Sequence, residues 1–194
     1  MKRWWPARKV RFIPQLEVAE CGAASLAMVL DYHGCSLPLV EVRTACAVTR
    51  DGASAARIVK AARELGLEAR GVKVELADLA RIPTPAILHW ELNHFVVLER
   101  RTRRGAVLVD PARGRRQVSE DTLSEAFTGV ALCFAPSARL PRRPRRAHSL
   151  KRYVAALARE RHALLYVALC MALLQLLGLL FAASTQLVVD HVIK

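Results

Sequence analysis

The chain lacks the short motifs that would indicate a metal site, a nucleotide site or a route of secretion. Its five cysteines are an odd number and contain no Cys-x-x-Cys pair, which argues against a disulfide framework and fits a reducing compartment. No Gly-x-x-x-x-Gly-Lys-Ser/Thr loop is present to bind ATP. No apolar segment follows the basic N-terminus, so no secretory signal peptide is expected. We therefore expect no metal and no cofactor.

Acidic residues are scarce: the chain has 17 Asp and Glu against 30 Lys and Arg, a net charge of +13. Such an excess suggests nucleic-acid binding, but much of it lies just before an apolar stretch, at Arg139, Arg142, Arg143, Arg145, Arg146, Lys151 and Arg152. Aromatic residues do not interleave with these arginines, as they do in proteins that bind single strands. We expect no nucleic-acid partner, because basic residues beside a membrane span instead mark its cytoplasmic side.

Residues 163–189 contain no Asp, Glu, Lys, Arg or His. About 20 apolar residues cross a bilayer, so this stretch predicts a transmembrane helix with some tilt. Residues 137–162 predict an Arg/Pro-rich extended linker followed by a helix lying along the bilayer surface. Residues 1–9 form a basic tail, either solvated or in contact with anionic headgroups. We expect the chain in the inner (cytoplasmic) membrane, with residues 10–136 on the cytoplasmic side.

Residues 10–136 mix apolar, charged and turn residues as a globular domain does. Apolar residues at helical spacing predict helices at 20–33, 39–47 and 55–65. Alternating and apolar runs then predict strands at 68–74, 86–90, 93–100, 106–110, 116–118 and 130–135. Shorter helical segments are expected near 76–80 and 119–127. Helices followed by an antiparallel sheet predict an α+β fold.

Cys21 stands at the start of an apolar helix, directly before Gly22. The positive end of the helix dipole favours the thiolate form of a cysteine at this place. Gln15 precedes Cys21 by six residues, and its amide, with the backbone N–H of Cys21, can reach a developing oxyanion. The layout predicts a nucleophile, although Gln15 alone could be a surface glutamine. The other cysteines are expected to pack as small buried apolar groups: Cys35, Cys46, Cys133 and Cys170.

A cysteine nucleophile needs a histidine base. Three of the six histidines flank the apolar stretch, namely His148, His162 and His191. His33 ends the helix of Cys21, about three turns away from the thiol. His94 begins an apolar strand and is the predicted base, whereas His89 is expected to pack as a structural group near the cleft.

Asp110 ends the strand that should pair with the strand of His94. Neighbouring antiparallel strands bring such residues within side-chain reach, so Asp110 is predicted to orient the imidazole ring. The alternative is that Asp110 only caps the turn before Pro111.

Three segments together resemble a known family. Gln15–Met28, with Cys21 and Gly22, resembles the nucleophile motif of the bacteriocin-processing, double-glycine leader cysteine peptidase domain, which is papain-like. Residues 89–98 resemble its histidine motif and residues 110–114 its aspartate motif. The resemblance covers residues 10–136 and implies a papain-like fold. It also implies a Cys-His-Asp peptidase that removes leaders after a Gly-Gly pair from bacteriocin or other ribosomal peptide precursors.

The family's catalytic roles fall on Cys21, His94 and Asp110, with Gln15 at the oxyanion. In that family the domain is the cytosolic N-terminus of an ABC exporter, so the resemblance implies membrane, transporter and ATPase partners and a homodimer. The chain is then expected to be truncated after the first transmembrane helix, as a fragment, a shortened gene or part of a split system. The alternative function is a non-catalytic leader-binding docking module, but related modules lack the cysteine that stands here.

Overall fold

The computed structural model describes residues 9–144 and 160–192. The chain divides into two compact units, Met1–Arg146 and Ala147–Lys194. The predicted basic tail lies outside the described residues except for Lys9, as does most of the predicted surface helix at 150–162.

Three helices form the first half of the first unit: α1 Cys21–Tyr32, α2 Leu39–Ala45 and α3 Ala55–Glu64. Every residue of α1 from 21 to 31 is buried, so α1 is the centre of this half. The helix ends at Gly34, whose φ of +94° lets the N–H of Cys35 reach the carbonyl of Leu30 at 2.9 Å. The nucleophile candidate therefore sits at the start of a rigid, central helix.

Six strands form one antiparallel sheet: β1 Leu67–Lys73, β2 Ala86–Trp90, β3 His94–Thr102, β4 Gly105–Asp110, β5 Gly114–Ser119 and β6 Phe127–Pro136. Their order is β1-β6-β2-β3-β4-β5, so β2 to β5 form the expected meander and β6 inserts beside β1. A 3-10 turn at Leu76–Arg81 precedes β2, and α4 at Glu120–Ala126 precedes β6. The structure confirms the α+β prediction. Strand β6 begins three residues earlier than expected because α4 leads into it directly.

Both faces of the sheet are covered by apolar side chains. On one face Ile87 and Val97 join the core formed with the three helices. On the other face Trp90 packs in a second cluster with Leu79 from the 3-10 turn and Leu123 from α4. Removing these side chains from water supplies the main force that holds helices and sheet together.

At Gly22, helix α1 packs closely against Ile58 of α3 and Phe95 of β3. A methyl group added at Gly22 would stand 2.7 Å from Cδ1 of Ile58 and 3.4 Å from Cδ2 of Phe95. The hydroxyl of Ser25, one turn further along α1, donates a buried hydrogen bond of 3.2 Å to the carbonyl of Phe95. Because Phe95 follows His94, this contact fixes the start of β3 against the start of α1.

The segment after β6 is extended, as expected of a linker, but it is docked. We call residues 137–143 the strap. The hydroxyl of Ser137 donates to the carbonyl of Gly66 at 2.6 Å, and the N–H of Ser36 donates to the carbonyl of Arg143 at 2.9 Å. Arg143 also pairs with Glu41 of α2 at 3.2 Å. The first part of the predicted linker thus packs on the helical half.

The cysteines are free, and Cys35, Cys46 and Cys133 are buried as predicted. The prediction was wrong for Cys170, which is exposed. Its place explains the difference, because Cys170 lies in the long apolar helix of the second unit, where the surrounding apolar side chains are exposed as well.

The second unit contains α5, Arg161–Val192. Within it, the 25 residues His162–Gln186 are long and apolar enough to cross a membrane, close to the predicted 163–189. At about 1.5 Å per residue they extend for about 37 Å, more than the roughly 30 Å of a hydrocarbon core.

The substitution Gly22→Ala tests the close contact of α1. The added methyl group overlaps the fully buried Ile58, so we expect the free energy of unfolding to fall by about 1–3 kcal/mol. Urea denaturation of the detergent-solubilised chain, followed by tryptophan fluorescence, measures the change. Gly71→Ala is the matched control, because a methyl group there meets Leu132 at an ordinary 3.5 Å. Equal stability of the two variants would contradict the role given to Gly22.

Candidate active site

Strands β3 and β4 pair antiparallel and bring His94 and Asp110 to the same end of the sheet. Nε2 of His94 lies 2.9 Å from Oδ1 of Asp110. The same oxygen accepts the backbone N–H of Ala112 at 2.9 Å, and Oδ2 pairs with Arg116 of β5 at 3.1 Å. Asp110 therefore contacts both His94 and the turn before Ala112. Its orienting role stays a prediction.

The carboxylate of Asp110 is buried, with 1% of the residue exposed. Burial alone would raise its pKa, but the hydrogen bonds from His94 and Ala112 and the charges of His94 and Arg116 outweigh burial and hold the pKa below its ordinary value. The carboxylate is therefore ionised at neutral pH. Its contribution to stability is present above its ordinary pKa near 3.8 and is lost as the pH falls below it.

His94 lies between Asp110 and Cys21. The hydrogen bond to Asp110, and then one to the Cys21 side chain, raise the pKa of His94 to about 9 against the opposing effect of burial. Because Nε2 faces Asp110, Nδ1 is the ring nitrogen left for Cys21. The stability gained from protonated His94 is complete below about pH 6.5 and is lost as the pH rises through about 9. At neutral pH an imidazolium thus stands beside the sulfur.

Cys21 is the first residue of α1, with 6% of its surface exposed. Its side chain stands at the start of a helix and next to the imidazole of His94. Catalytic cysteines in other proteins are found at helix N-termini and beside histidines. The nucleophilic role of Cys21 stays a prediction of the sequence.

Gln15 joins the site through its backbone. Its N–H donates to the carbonyl of Pro111 at 3.1 Å, next to Asp110. The following N–H, of Leu16, donates to the carboxylate of Glu20 at 2.9 Å, next to Cys21. Gln15 is thus held between the two segments that carry the other predicted site residues.

The side-chain amide of Gln15 has unused hydrogen-bonding capacity. Its oxygen Oε1 is buried and accepts no hydrogen bond from the part of the chain that the structure describes. Rotating the amide by 180° exchanges oxygen and nitrogen, so the same position can present a donor. An oxyanion formed at Cys21 would need such a donor.

The chain before Gln15 is anchored across the sheet. The N–H of Val10 donates to Glu99 of β3 at 2.8 Å, and Arg115 of β5 pairs with Glu99 at 3.0 Å. Arg115 also donates to the carbonyl of Val10. These contacts of Val10, Glu99 and Arg115 attach the N-terminal segment to strands β3 and β5, five residues before Gln15.

His89 is not part of the Cys21 group. Its Nδ1 lies 2.8 Å from the hydroxyl of Thr128, and its ring packs at 5.1 Å from the ring of Phe95. Burial lowers the pKa of His89, against a hydrogen bond from the ring to the backbone carbonyl of Leu92 that raises it. His89 is therefore neutral at pH 7 and packs as the sequence led us to expect.

A cavity of about 490 Å³ is lined by Asn93 and Phe95, the two chain neighbours of His94, and by His89. Its walls include the turn of Asp51 and Gly52, the side chain of Phe95 and the exposed Leu92. Leu92 has a φ of +64°, a conformation usual for glycine or asparagine rather than leucine. An apolar side chain held exposed in a strained conformation suggests a contact with a ligand.

Three residues of this arrangement were not found from the sequence. They are Glu20, Arg116 and Ser25. The sequence contains a pattern that could have indicated two of them. Glu20 completes a capping box with Glu17. Arg116 stands two residues after Gly114, which pairs with Asp110 in the sheet. No local pattern indicates Ser25, because its partner Phe95 is 70 residues away. Among the described residues, no group of three or more His, Cys, Asp or Glu could hold a metal ion.

Comparison with known proteins places the chain among peptidases. The model of the peptidase C39 family matches residues 9–139. The chain is 36% identical over 192 residues to the colicin V secretion/processing ATP-binding protein CvaB of Escherichia coli. That match covers 98% of this chain but only 27% of the relative, so the chain spans about a quarter of the relative's length.

Two solved structures show the same papain-like C39 fold. One is a double glycine motif protease from an AMS/PCAT transporter in complex with the leader peptide, with a TM-score of 0.65, 44% identity, and coverage of 68% of this chain and 94% of that chain. The other is the peptidase domain of Streptococcus ComA, a bi-functional ABC transporter involved in a quorum sensing pathway. Its TM-score is 0.62 at 27% identity, covering 66% of this chain and 99% of that chain.

The substitution His94→Gln tests the ion pair. Without the imidazolium, we expect alkylation of Cys21 by iodoacetamide at pH 6 to slow by at least about tenfold, since only the thiolate reacts. Peptide mass spectrometry of the intact chain after timed labelling measures the rate at each cysteine. His33→Gln, at the far end of the same helix, is the matched control and should leave the rate unchanged. A His94 variant that labels as fast as the control would contradict the pairing.

Proposed function

The chain belongs to the peptidase C39 family of cysteine peptidases, and on that premise we propose that residues 10–136 remove double-glycine leaders from bacteriocin or other ribosomal peptide precursors. The observation that carries the proposal is the hydrogen bond of 2.9 Å between His94 and Asp110, with Cys21 close enough to His94 to raise the pKa of the imidazole. The similarity to a protease that was crystallised with its leader peptide supports this class of substrate.

The first half of the reaction forms an acyl-enzyme. The thiolate of Cys21 attacks the carbonyl carbon of the second glycine, and a C–S bond forms while the carbonyl oxygen becomes an oxyanion. The Gln15 amide and the Cys21 N–H stabilise that oxygen. The C–N bond then breaks, and His94 gives its proton to the leaving amine of the mature peptide.

The second half releases the leader. Water attacks the thioester, His94 takes one of its protons, and the C–S bond breaks to return the thiolate. Asp110 does not exchange a proton; it holds the ring and stabilises the imidazolium. Arg116 balances the carboxylate from the other side, so Asp110 stays ionised throughout.

The cavity lined by His89, Leu92 and Phe95 is the proposed place for leader side chains. Phe95 and Leu92 offer apolar surface there, as expected for a groove that binds an apolar face of a leader helix. The glycines themselves would lie at the sulfur, where Cys21 is only 6% exposed. A substrate with larger residues at the scissile bond would not reach the thiolate.

The relatives support a proposal for the larger assembly to which the peptidase domain belongs. They are components of transporters, and we propose that this chain is likewise the peptidase portion of an ABC exporter at the inner membrane. Helix α5 would be its first span, with the peptidase on the cytoplasmic side because the basic residues precede that span. Transporter and ATPase portions would be its partners, in a homodimer, with no nucleic acid involved.

Replacing the nucleophile tests the proposed activity. Cys21→Ala should abolish cleavage of a precursor with a Gly-Gly leader, because no thiolate remains to form the acyl-enzyme. Mass spectrometry of the two products measures cleavage. Cys133→Ala removes another buried thiol and should cleave normally, whereas a precursor with Ala-Ala at the site should resist the parent chain. A parent that binds the leader without cutting it would favour the docking-module alternative.

The pH dependence tests the imidazolium. Activity needs protonated His94, so kcat/KM should fall as the pH rises through about 9. Asp110→Asn removes the hydrogen-bonded charge that raises the pKa of His94 most, and this limit should move to lower pH. Asp121→Asn, an exposed acid of α4, is the matched control. An unchanged alkaline limit in Asp110→Asn would contradict the role of Asp110.

A further inference from the structure

Glu20 is a buried carboxylate next to the nucleophile that the mechanism above does not use. Only 2% of the residue is exposed. Its oxygen Oε2 accepts the backbone N–H groups of Leu16 at 2.9 Å and Glu17 at 3.2 Å. Its other oxygen, Oε1, accepts from Arg43 of α2 at 2.9 Å. Every contact of this carboxylate thus ties the start of α1 either to the preceding loop or to a neighbouring helix.

The capping box with Glu17 accounts for the backbone contacts of Glu20 but not for its ion pair. The box encloses the 3-10 turn at Val18–Glu20, and the Glu20 side chain makes no cap hydrogen bond to α1 itself. Glutamine takes the same place in a capping box without a full charge. A buried carboxylate is costly unless it is paired, and Arg43 pairs with this one at 2.9 Å. The buried ion pair is therefore more than the capping box requires.

The loop that Glu20 holds is the loop that carries Gln15. Leu16 directly follows Gln15, and Glu20 directly precedes Cys21. On its other side, the backbone N–H of Gln15 donates to the carbonyl of Pro111. The two N–H groups bound by Glu20 therefore fix the backbone next to Gln15 against the residue that precedes Cys21.

We propose that Glu20 and Arg43 are positioning residues for the oxyanion site. The Glu20 carboxylate fixes the loop of residues 15–17 on the start of α1, and Arg43 fixes the carboxylate. Together they hold the Gln15 amide where the oxyanion forms. This inference rests on the proposed peptidase function, in which Gln15 is the oxyanion donor.

The test is a double-mutant cycle of Glu20→Gln and Gln15→Ala, with kcat and KM measured on a Gly-Gly precursor using the full chain. Losing one oxyanion donor costs about 10²–10³ in kcat. We expect Glu20→Gln to lower kcat by at least about tenfold with little change in KM. In the Gln15→Ala background the same change should lower kcat by less than about threefold, because the group that it positions is already gone.

Alkylation separates positioning from an effect on the nucleophile. Iodoacetamide forms no oxyanion, so Cys21 of Glu20→Gln should react at least as fast as in the parent. Glu41→Gln is the matched control, since it breaks a similar pair with Arg143, at 3.2 Å, away from the loop. It should retain the parent kcat.

A second variant covers the case in which Glu20→Gln does not fold. Arg43→Met keeps the Glu20 carboxylate but removes its ion-pair partner, and it should lower kcat in the same way. Arg43→Lys restores the positive charge and should recover part of the lost kcat. Two results would overturn the positioning role and leave the proposed function standing. One is an equal loss of kcat from Glu20→Gln in the parent and in the Gln15→Ala background. The other is alkylation of Cys21 that slows by the same factor as kcat. A parent chain that labels at Cys21 but does not cleave would overturn the proposed function, and the inference with it.

Discussion

The contact between α1 and β3 is the constraint on which the site depends. Gly22 allows the start of the helix to lie against Phe95, and Ser25 locks the pair with a buried hydrogen bond. Cys21 stands one residue before Gly22, and His94 stands one residue before Phe95. Fixing this one contact therefore fixes sulfur and imidazole relative to each other. The site belongs to neither half of the domain alone, and exists only when helices and sheet are packed together.

Two buried carboxylates flank the reacting groups, and each is balanced in the same way. Asp110 pairs with Arg116 from β5, and Glu20 pairs with Arg43 from α2. Both arginines are partly exposed, so they reach the buried acids from the surface and remain partly hydrated. This arrangement lets the acids orient an imidazole and a loop without leaving an uncompensated negative charge beside a thiolate. The two arginines that balance these carboxylates come from β5 and α2, which are far apart in the chain. The charge balance around the site therefore requires the whole domain to be folded.

The sequence predicted the elements and the chemistry better than it predicted the connections between them. Cys21 and Asp110 could be singled out because each lies at the end of an element whose local pattern is clear. The register of β4 and β5 could have been counted from the turn at Gly114, which would have placed Arg116 beside Asp110. The bond from Ser25 to Phe95 could not, since it depends on how two halves of different secondary structure pack.

For a related reason, the sequence did not predict that the strap packs on the helical half. Its composition is that of an extended linker, and it is extended, but composition does not reveal where an extended segment lies. Its attachment depends on single backbone groups, the carbonyls of Gly66 and Arg143. Gly66 is itself required there, because a methyl group would stand 2.8 Å from the Cα of Leu140.

The cysteines differ in the surroundings that the fold gives them. Burial raises the pKa of Cys46 to about 12, and it also raises the pKa of Cys35, where the nearby charge of Arg143 is too weak to reverse the effect. A positive charge near a thiol is therefore not enough to activate it. Cys21 differs in having an imidazole in hydrogen-bond contact, itself charged because Asp110 holds it. The proposed reactivity of Cys21 thus depends on a contact that β3 and β4 bring to the start of α1.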